Sequence, residues 1–501
     1  PTVRNWRLSD KEKGWIRTMI EELNSRIEKN SPQMVESLSE IVRIPSKYGE
    51  PKEGAPYGEA SRQALKFAMD LGRKLGFETV VNVDDRVCYI EYGTGSKVVG
   101  VFAHLDVVPA GHDWKYEPYG LTVDGGCMIG RGVKDNKGPA VAAIYAVRCL
   151  QELGVELKHK ISFYAGLEEE KGMTDIHWLT DHQVELPKMN IVLDSRYPVC
   201  HGEKGILGIT VANKNALSGN ILEIQGGESE NSVAGRARMV VKAAWPVQAP
   251  AGLPDWLSIS WEAGKLTIET KGLSKHAAHA EGSENAIHRL FCAVSGKEPS
   301  CKALRDLLGG SLDKDTLKLF EACADISAGI YGDGLGIAAE DGISGRLTAV
   351  ASLVALRDHI CSLTFNIRYP ITMKEHSGLV EKIGATAADL DMEVASYSGK
   401  APGDFPAEHP MIESLMNTYN EFLGRDEKPF TMAGGTYARL LPNAFGYGFR
   451  LVPETAYPEG LIPEGHGGSH SADEAVPVEL YKQQLTLFIL SLAEGQKVEL
   501  S

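Results

Sequence analysis

The sequence predicts an α/β domain, a mixed and mostly parallel sheet flanked by helices, interrupted by an inserted α+β segment. Three observations carry this. At 501 residues the chain is longer than one hydrophobic core fills, so two domains are the default. From about residue 78 to 194 short β-like runs alternate with helical periodicity, and acidic or histidine residues stand where the strands end. From about 205 to 400 the text turns β-rich, and an α/β pattern returns afterwards. The expected division is therefore 1–204 and 401–501 for the first domain, with 205–400 inserted.

Taken in order, residues 11–44 have apolar residues at helical spacing broken near Ser31-Pro32, which predicts two helices. A further helix is expected over 58–75, and strands over 78–83, 87–92 and 97–103, the last ending at His104. A helix follows at 138–154, a strand at 159–166, a helix near 173–182 and a strand at 190–194. In the insert, the runs ILGITVANK, GNILEIQGG, RARMVVKAA, LSISWEAGKLTIETKG and LTAVASLVALRDHICSLTFNIRYP read as strands, with helices over 284–295, 302–324 and 372–388. After His409 come a helix, MIESLMNTYNEFLG, two short apolar runs and a final helix at 477–494.

Apolar residues at 43% and charged residues at 24% are the mix of an ordinary globular protein, which argues against disorder. A net charge of −15 argues against nucleic acid, whose binding rests on clustered Lys and Arg. The eight cysteines, Cys88, Cys127, Cys149, Cys200, Cys292, Cys301, Cys323 and Cys361, form no CxxC pair, which suggests reduced thiols. No apolar run reaches 18 residues and the first residues have no signal-peptide core, so a cytoplasmic location without membrane contact is expected.

The chemistry-bearing residues cluster at strand ends. His104 and Asp106 have the spacing of a metal-ligating histidine held by a carboxylate through its other ring nitrogen. GRGVKDNKGPA places Asp135 just before a helix, where taken alone it reads first as a helix cap and second as a carboxylate shared by two cations. LEEEKG puts three carboxylates together at the end of an apolar strand, where they repel one another unless a cation or proton intervenes. One of them as ligand and its neighbour as general base is what metal-assisted hydrolysis needs. Asp194 ends another strand, and His470 lies in a glycine-rich loop four residues before Glu474. Each alone reads as a turn or surface residue.

The ordered set HLDVVP, GRGVKDNKGP, EEEKG, VLDS, GGTYAR and GSHSADE resembles the di-metal exopeptidases and amidohydrolases that include aminoacylases, carnosinases and succinyl-diaminopimelate desuccinylase. The branch it is most similar to is the PepV-type dipeptidases, through Trp114 to Pro118, GGTYARLL and the DGLGI, SGRLT and NIRYP series. The resemblance implies a zinc-exopeptidase-like catalytic domain with an inserted lid, hydrolysing short peptides, above all dipeptides. An N-acyl amino acid deacylase is the alternative, and a non-catalytic binding protein on this scaffold a distant one.

It also implies two divalent cations per chain, zinc first, with manganese or cobalt as alternatives. His104, Asp135 and Asp194 would hold one and Asp135, Glu170 and His470 the other, with Glu169 the general base and Asp106 the carboxylate behind His104. The Asp135-Asn136 peptide bond would be cis. From the insert, His276 would stabilise the oxyanion, while Asn231 and Arg368 bind the substrate backbone or its carboxylate, a task suited to the planar fork of Arg. Gly434, Gly435, Thr436 and Arg439 would line the substrate cleft. Asn136 stands in place of the family's second Asp, and Ala277 and Ala280 replace the usual Gly and Pro around His276. The large insert is compatible with a monomer and does not exclude a dimer.

Overall fold

The computed structural model describes residues 10–242, 252–452 and 457–500, with the backbone alone for 10–19. The chain divides into two compact units. The first comprises Pro1–Gly202, Asp404–Phe430 and Gly435–Ser501, and the second Glu203–Gly403 with Thr431–Gly434.

In the first unit the main sheet runs in the order Thr79–Val83, Val87–Tyr92, Lys160–Gly166, Val98–His104, Met189–Val192, Ala444–Tyr447 and Val199–Glu203. The sheet is mixed: Lys160–Gly166, Val98–His104, Met189–Val192 and Ala444–Tyr447 are parallel to one another, and the flanking pairings are antiparallel. Residues buried on both faces explain the unbroken apolar text of VVGVFAH and KISFYAG. Parallel register sets His104 beside Gly166 and Phe102 beside Val192, so the segments leaving these strands emerge along one edge.

The helix Lys137–Glu152 is buried on nearly every side and packs against the sheet, the helix Asp10–Val42 and the helix Val478–Gly495. Its start is tight. A Cβ on Gly138 would come 2.0 Å from the Val133 carbonyl, so only glycine lets the loop before the helix fold back onto it.

Residues 11–44 form one helix, Asp10–Val42, with Pro32 inside it, where the sequence predicted two. The buried stripe Leu23, Ile27, Met34, Leu38 and Ile41 runs past Pro32, which faces solvent. The proline therefore removes one backbone donor without interrupting the packing that holds the helix. A second correction concerns residues 302–324, which form two helices, Lys302–Leu308 and Lys314–Ile326, parted at Gly309-Gly310.

The second unit is an eight-stranded antiparallel sheet in the order Leu257–Glu262, Lys265–Lys271, Arg236–Lys242, Ile221–Gly226, Thr348–Arg357, Ile360–Tyr369, Gly205–Asn213 and Met392–Lys400. Alternation sorts its faces: Leu363, Phe365 and Ile367 join Ile209 and Val211 in a core with helices Ala286–Ser295, Lys314–Ile326 and Ser377–Asp389. Thr210 and Thr364 point the other way and share a hydrogen bond of 2.9 Å. Thr431–Gly434 belongs to this unit, with Met432 accepting the Lys204 amide at 2.8 Å.

Candidate metal centre

Seven residues singled out in the sequence meet at the C-terminal ends of the parallel strands of the first unit. Asp135 is their hub. Its Oδ1 lies 3.1 Å from His104 Nε2, and its Oδ2 lies 3.2 Å from His470 Nε2. On one side Asp194 Oδ2 is 3.8 Å from His104 Nε2. On the other, Glu170 Oε1 is 3.1 Å from His470 Nε2. Ligand atoms of His104, Glu169 and Asp194, and of His104, Asp135 and Glu170, each lie within 4.8 Å of one another. The Asp135-Asn136 peptide bond is cis.

Asp106 stands behind His104. Its Oδ1 is 3.3 Å and its backbone carbonyl 3.0 Å from His104 Nδ1, which turns Nε2 toward Asp135. The same carboxylate accepts the amides of Glu169 and Glu170, both at 3.1 Å. Asn136 is buried, and its side-chain amide donates to the Leu193 carbonyl at 2.7 Å and to Asp194 Oδ1 at 3.4 Å. Here a neutral amide orients the neighbouring acid, a part that a second aspartate could not play as a donor.

Glu474 is a supporting residue to which the sequence assigned no role. Its Oε1 accepts the amides of Lys134 and Asp135 at 2.7 and 3.0 Å, and its Oε2 accepts Arg131 Nη1 at 2.8 Å and the Gly132 amide at 3.0 Å. Pairing of Ala475–Pro477 with Cys127–Ile129 delivers it there. Beside it Asp473 accepts the amides of Lys115 and Tyr116, and lies 2.7 Å from His466 Nδ1. That contact gives His466 a place holding the loop that carries His470. Run-on acids after His470 were the available signal.

The electrostatics are those of a cage short of positive charge. Burial and the charge of Asp194 hold the Glu169 carboxyl well above the usual range. Burial and Asp135 raise Glu170, and push Asp194 up to about 7. Asp135, despite its burial, is held far below the ordinary range by His104 and His470, while hydrogen bonds to Asp135 and Glu170 take His470 up to about 11. Among the described residues the Glu169 carboxylate has no hydrogen-bond partner. Imidazole nitrogens and carboxylate oxygens converging in a buried, over-acidic site fit divalent cations of the zinc, manganese or cobalt type.

These shifts have a consequence for the cation-free protein. Carboxyls raised in the folded state stabilise it below their unfolded pKa, and that contribution is lost as pH climbs through the folded value. Stability to urea is thus expected to fall between about pH 4 and 7 without cations, and to recover when zinc is added. A urea midpoint that rises over this window in chelated protein would refute the charge balance described.

The residues from the insert lie in the second unit. His276 is exposed, and its Nδ1 accepts the Ala278 amide at 3.2 Å, which leaves the proton of a neutral ring on Nε2. Ala277 and Ala280 are buried with Val233 and Val350, so small apolar residues seat this loop. The Asn231 carbonyl accepts the Ala277 amide at 2.8 Å. Arg368 is buried, with Nε on Asn366 Oδ1 at 2.9 Å and Nη1 on the Ala433 carbonyl at 3.0 Å, beside Gly434. In the first unit Thr436 caps the turn Tyr437–Arg439 by accepting the Ala438 amide, with Gly435 preceding it.

The family model for peptidase family M20/M25/M40 matches residues 100–493, which contain every donor described above. The chain belongs to this family. As an M20 chain it is a metallopeptidase, and metal dependence is a property of the family. It is 27% identical over 480 residues to "Putative dipeptidase YtjP" of Bacillus subtilis, covering 93% of this chain and 97% of that protein. A protein of Staphylococcus epidermidis named "Putative dipeptidase" is 28% identical over 438 residues, 83% of this chain and 89% of its own. Among solved structures, human carnosine dipeptidase 1 superposes with a TM-score of 0.55 at 16% identity, over 96% of this chain and 99% of that one. The di-peptidase Dug1p of Saccharomyces cerevisiae gives 0.56 at 12% identity with the same coverage. At such identities the structures establish that this M20 chain shares their fold. No helix among the described residues is long and apolar enough to cross a membrane.

Proposed function

We propose that the protein is a di-metal dipeptidase, and one observation carries the reading: Asp135 turns one oxygen to His104 and the other to His470. His104, Asp135 and Asp194 would hold one cation; Asp135, Glu170 and His470 would hold the second. Zinc is the first expectation, with manganese or cobalt as alternatives. Bound cations supply Lewis acidity, which makes water more acidic and a peptide carbonyl more electrophilic.

The chain's own groups do the rest. Glu169, with its oxygens unspent and its proton affinity raised by burial, accepts a proton from the attacking water and delivers it to the leaving nitrogen. Asp106 fixes the ring of His104 and the backbone of the base together. His276 donates Nε2–H to the developing oxyanion, Asn231 and Arg368 hold the substrate backbone and its carboxylate, and Gly434, Gly435, Thr436 and Arg439 line the cleft. Dipeptides as substrates are supported by the names of the bacterial relatives. A cytoplasmic enzyme, a monomer or a dimer with its lid in the same chain, completes the reading.

The test is metal analysis of purified protein followed by a substrate panel after reconstitution with zinc, manganese or cobalt. Dipeptides are expected to turn over and N-acetyl or N-succinyl amino acids to remain. The reverse order of rates would replace the peptidase by a deacylase.

A further inference from the structure

The loop that carries Glu169 and Glu170 is held by its backbone. Four consecutive amides, 167 to 170, are taken by two buried carboxylates. Asp106 accepts the last two, and Asp175 Oδ2 accepts those of Leu167 and Glu168 at 2.7 and 3.1 Å. Asp175 is fully buried, and its Oδ1 accepts the Ile176 amide at 2.8 Å. A fourth partner comes from far along the chain: the Tyr437 hydroxyl, also fully buried, donates to Asp175 Oδ2 at 2.5 Å. The tyrosine ring stands edge-on to His104, with centroids 6.5 Å apart.

The strand before the loop is shaped to admit this pair. A Cβ on Gly166 would lie 2.2 Å from the Tyr437 hydroxyl oxygen and 2.6 Å from Asp175 Oδ2, so any other residue would evict one of them. Tyr437 sits in the GGTYAR segment read in the sequence as cleft lining, yet its hydroxyl turns inward to the back of the loop bearing Glu169.

We propose that Tyr437 and Asp175 are positioning residues that set where Glu169 and Glu170 stand, a role that rests on Glu169 as base and Glu170 as ligand. The hydroxyl fixes the orientation of the Asp175 carboxylate, the carboxylate fixes amides 167 and 168, and the next two residues are the functional ones. A displacement near 1 Å in such groups costs on the order of 100-fold in rate.

The test compares wild type with Tyr437→Phe, which removes only the hydroxyl, after loading with cobalt(II). Tyr437→Phe is expected to lower kcat about 10- to 100-fold, with KM within about twofold, and to alter the cobalt d–d absorption because Glu170 has moved. Asp175→Asn is a second variant with the same expected signature. Tyr447→Phe is the control: that buried hydroxyl bonds Ser491 at 2.6 Å, and its loss should change neither kcat nor the cobalt spectrum. Wild-type kcat and an unchanged spectrum in both test variants would overturn the proposal, as would an equal spectral change in Tyr447→Phe. Failure of wild type to cleave dipeptides would instead remove the assigned function, and the cobalt spectra would still decide whether the pair places the loop.

Discussion

Replacing Glu169 by alanine is expected to lower dipeptide turnover by about 100- to 10,000-fold while leaving the bound cations in place. The ion-pair geometry separates the two roles. His104, Asp135, Glu170, Asp194 and His470 face one another through close contacts, whereas the Glu169 carboxylate lies among them without a hydrogen-bond partner from the described residues. Removing it takes away a proton acceptor but none of the five proposed ligand side chains, so metal content should be retained. Metal content per chain and kcat on the same preparation check this. Retained turnover would show that another group takes the proton, and loss of metal would make Glu169 a ligand.

Glu474→Ala is expected to destabilise the fold by about 3–5 kcal/mol, because it strands a buried guanidinium. Arg131 and Glu474 are 1% and 0% exposed and meet at 2.8 Å. The alanine would also leave the amides of Gly132, Lys134 and Asp135 without their acceptor, so the segment presenting the Asp135 carboxylate loses its mould. Urea unfolding of the chelated proteins measures the first effect and zinc titration the second. A midpoint equal to wild type would mean that the Arg131 charge is compensated by other groups.

Much of the first unit could be read from the chain because its signals are local. His104, Asp135, Glu169, Glu170 and Asp194 each follow an apolar run or open a helix, and strand ends in a parallel sheet share an edge whatever the intervening sequence. The seam at Pro32 was misread for want of one fact, which face of the helix would be buried. The edge strand Met392–Lys400 carries exposed polar residues along most of its length and offers no alternation to find. Asp175 and Tyr437 are invisible for a different reason: a lone acid and a lone tyrosine 262 positions apart have no periodicity or spacing that links them. Glu474 was within reach, since a carboxylate four residues from a candidate ligand in a polar loop is a natural acceptor for exposed amides.

Glu170 and His470, 300 positions apart, face each other at 3.1 Å with the whole second unit threaded between. A chain emerging from the ribosome presents His104, Asp135, Glu170 and Asp194 long before His470 exists, so of the two proposed ligand sets the one that needs His470 is completed last. The closing of so long a loop adds little entropy beyond that of a shorter one, since each doubling costs only about 0.6 kcal/mol, but it makes assembly slow. On the proposed ligand sets, filling of the second is the later event, a latch thrown once the C-terminal segment that carries His470 has docked.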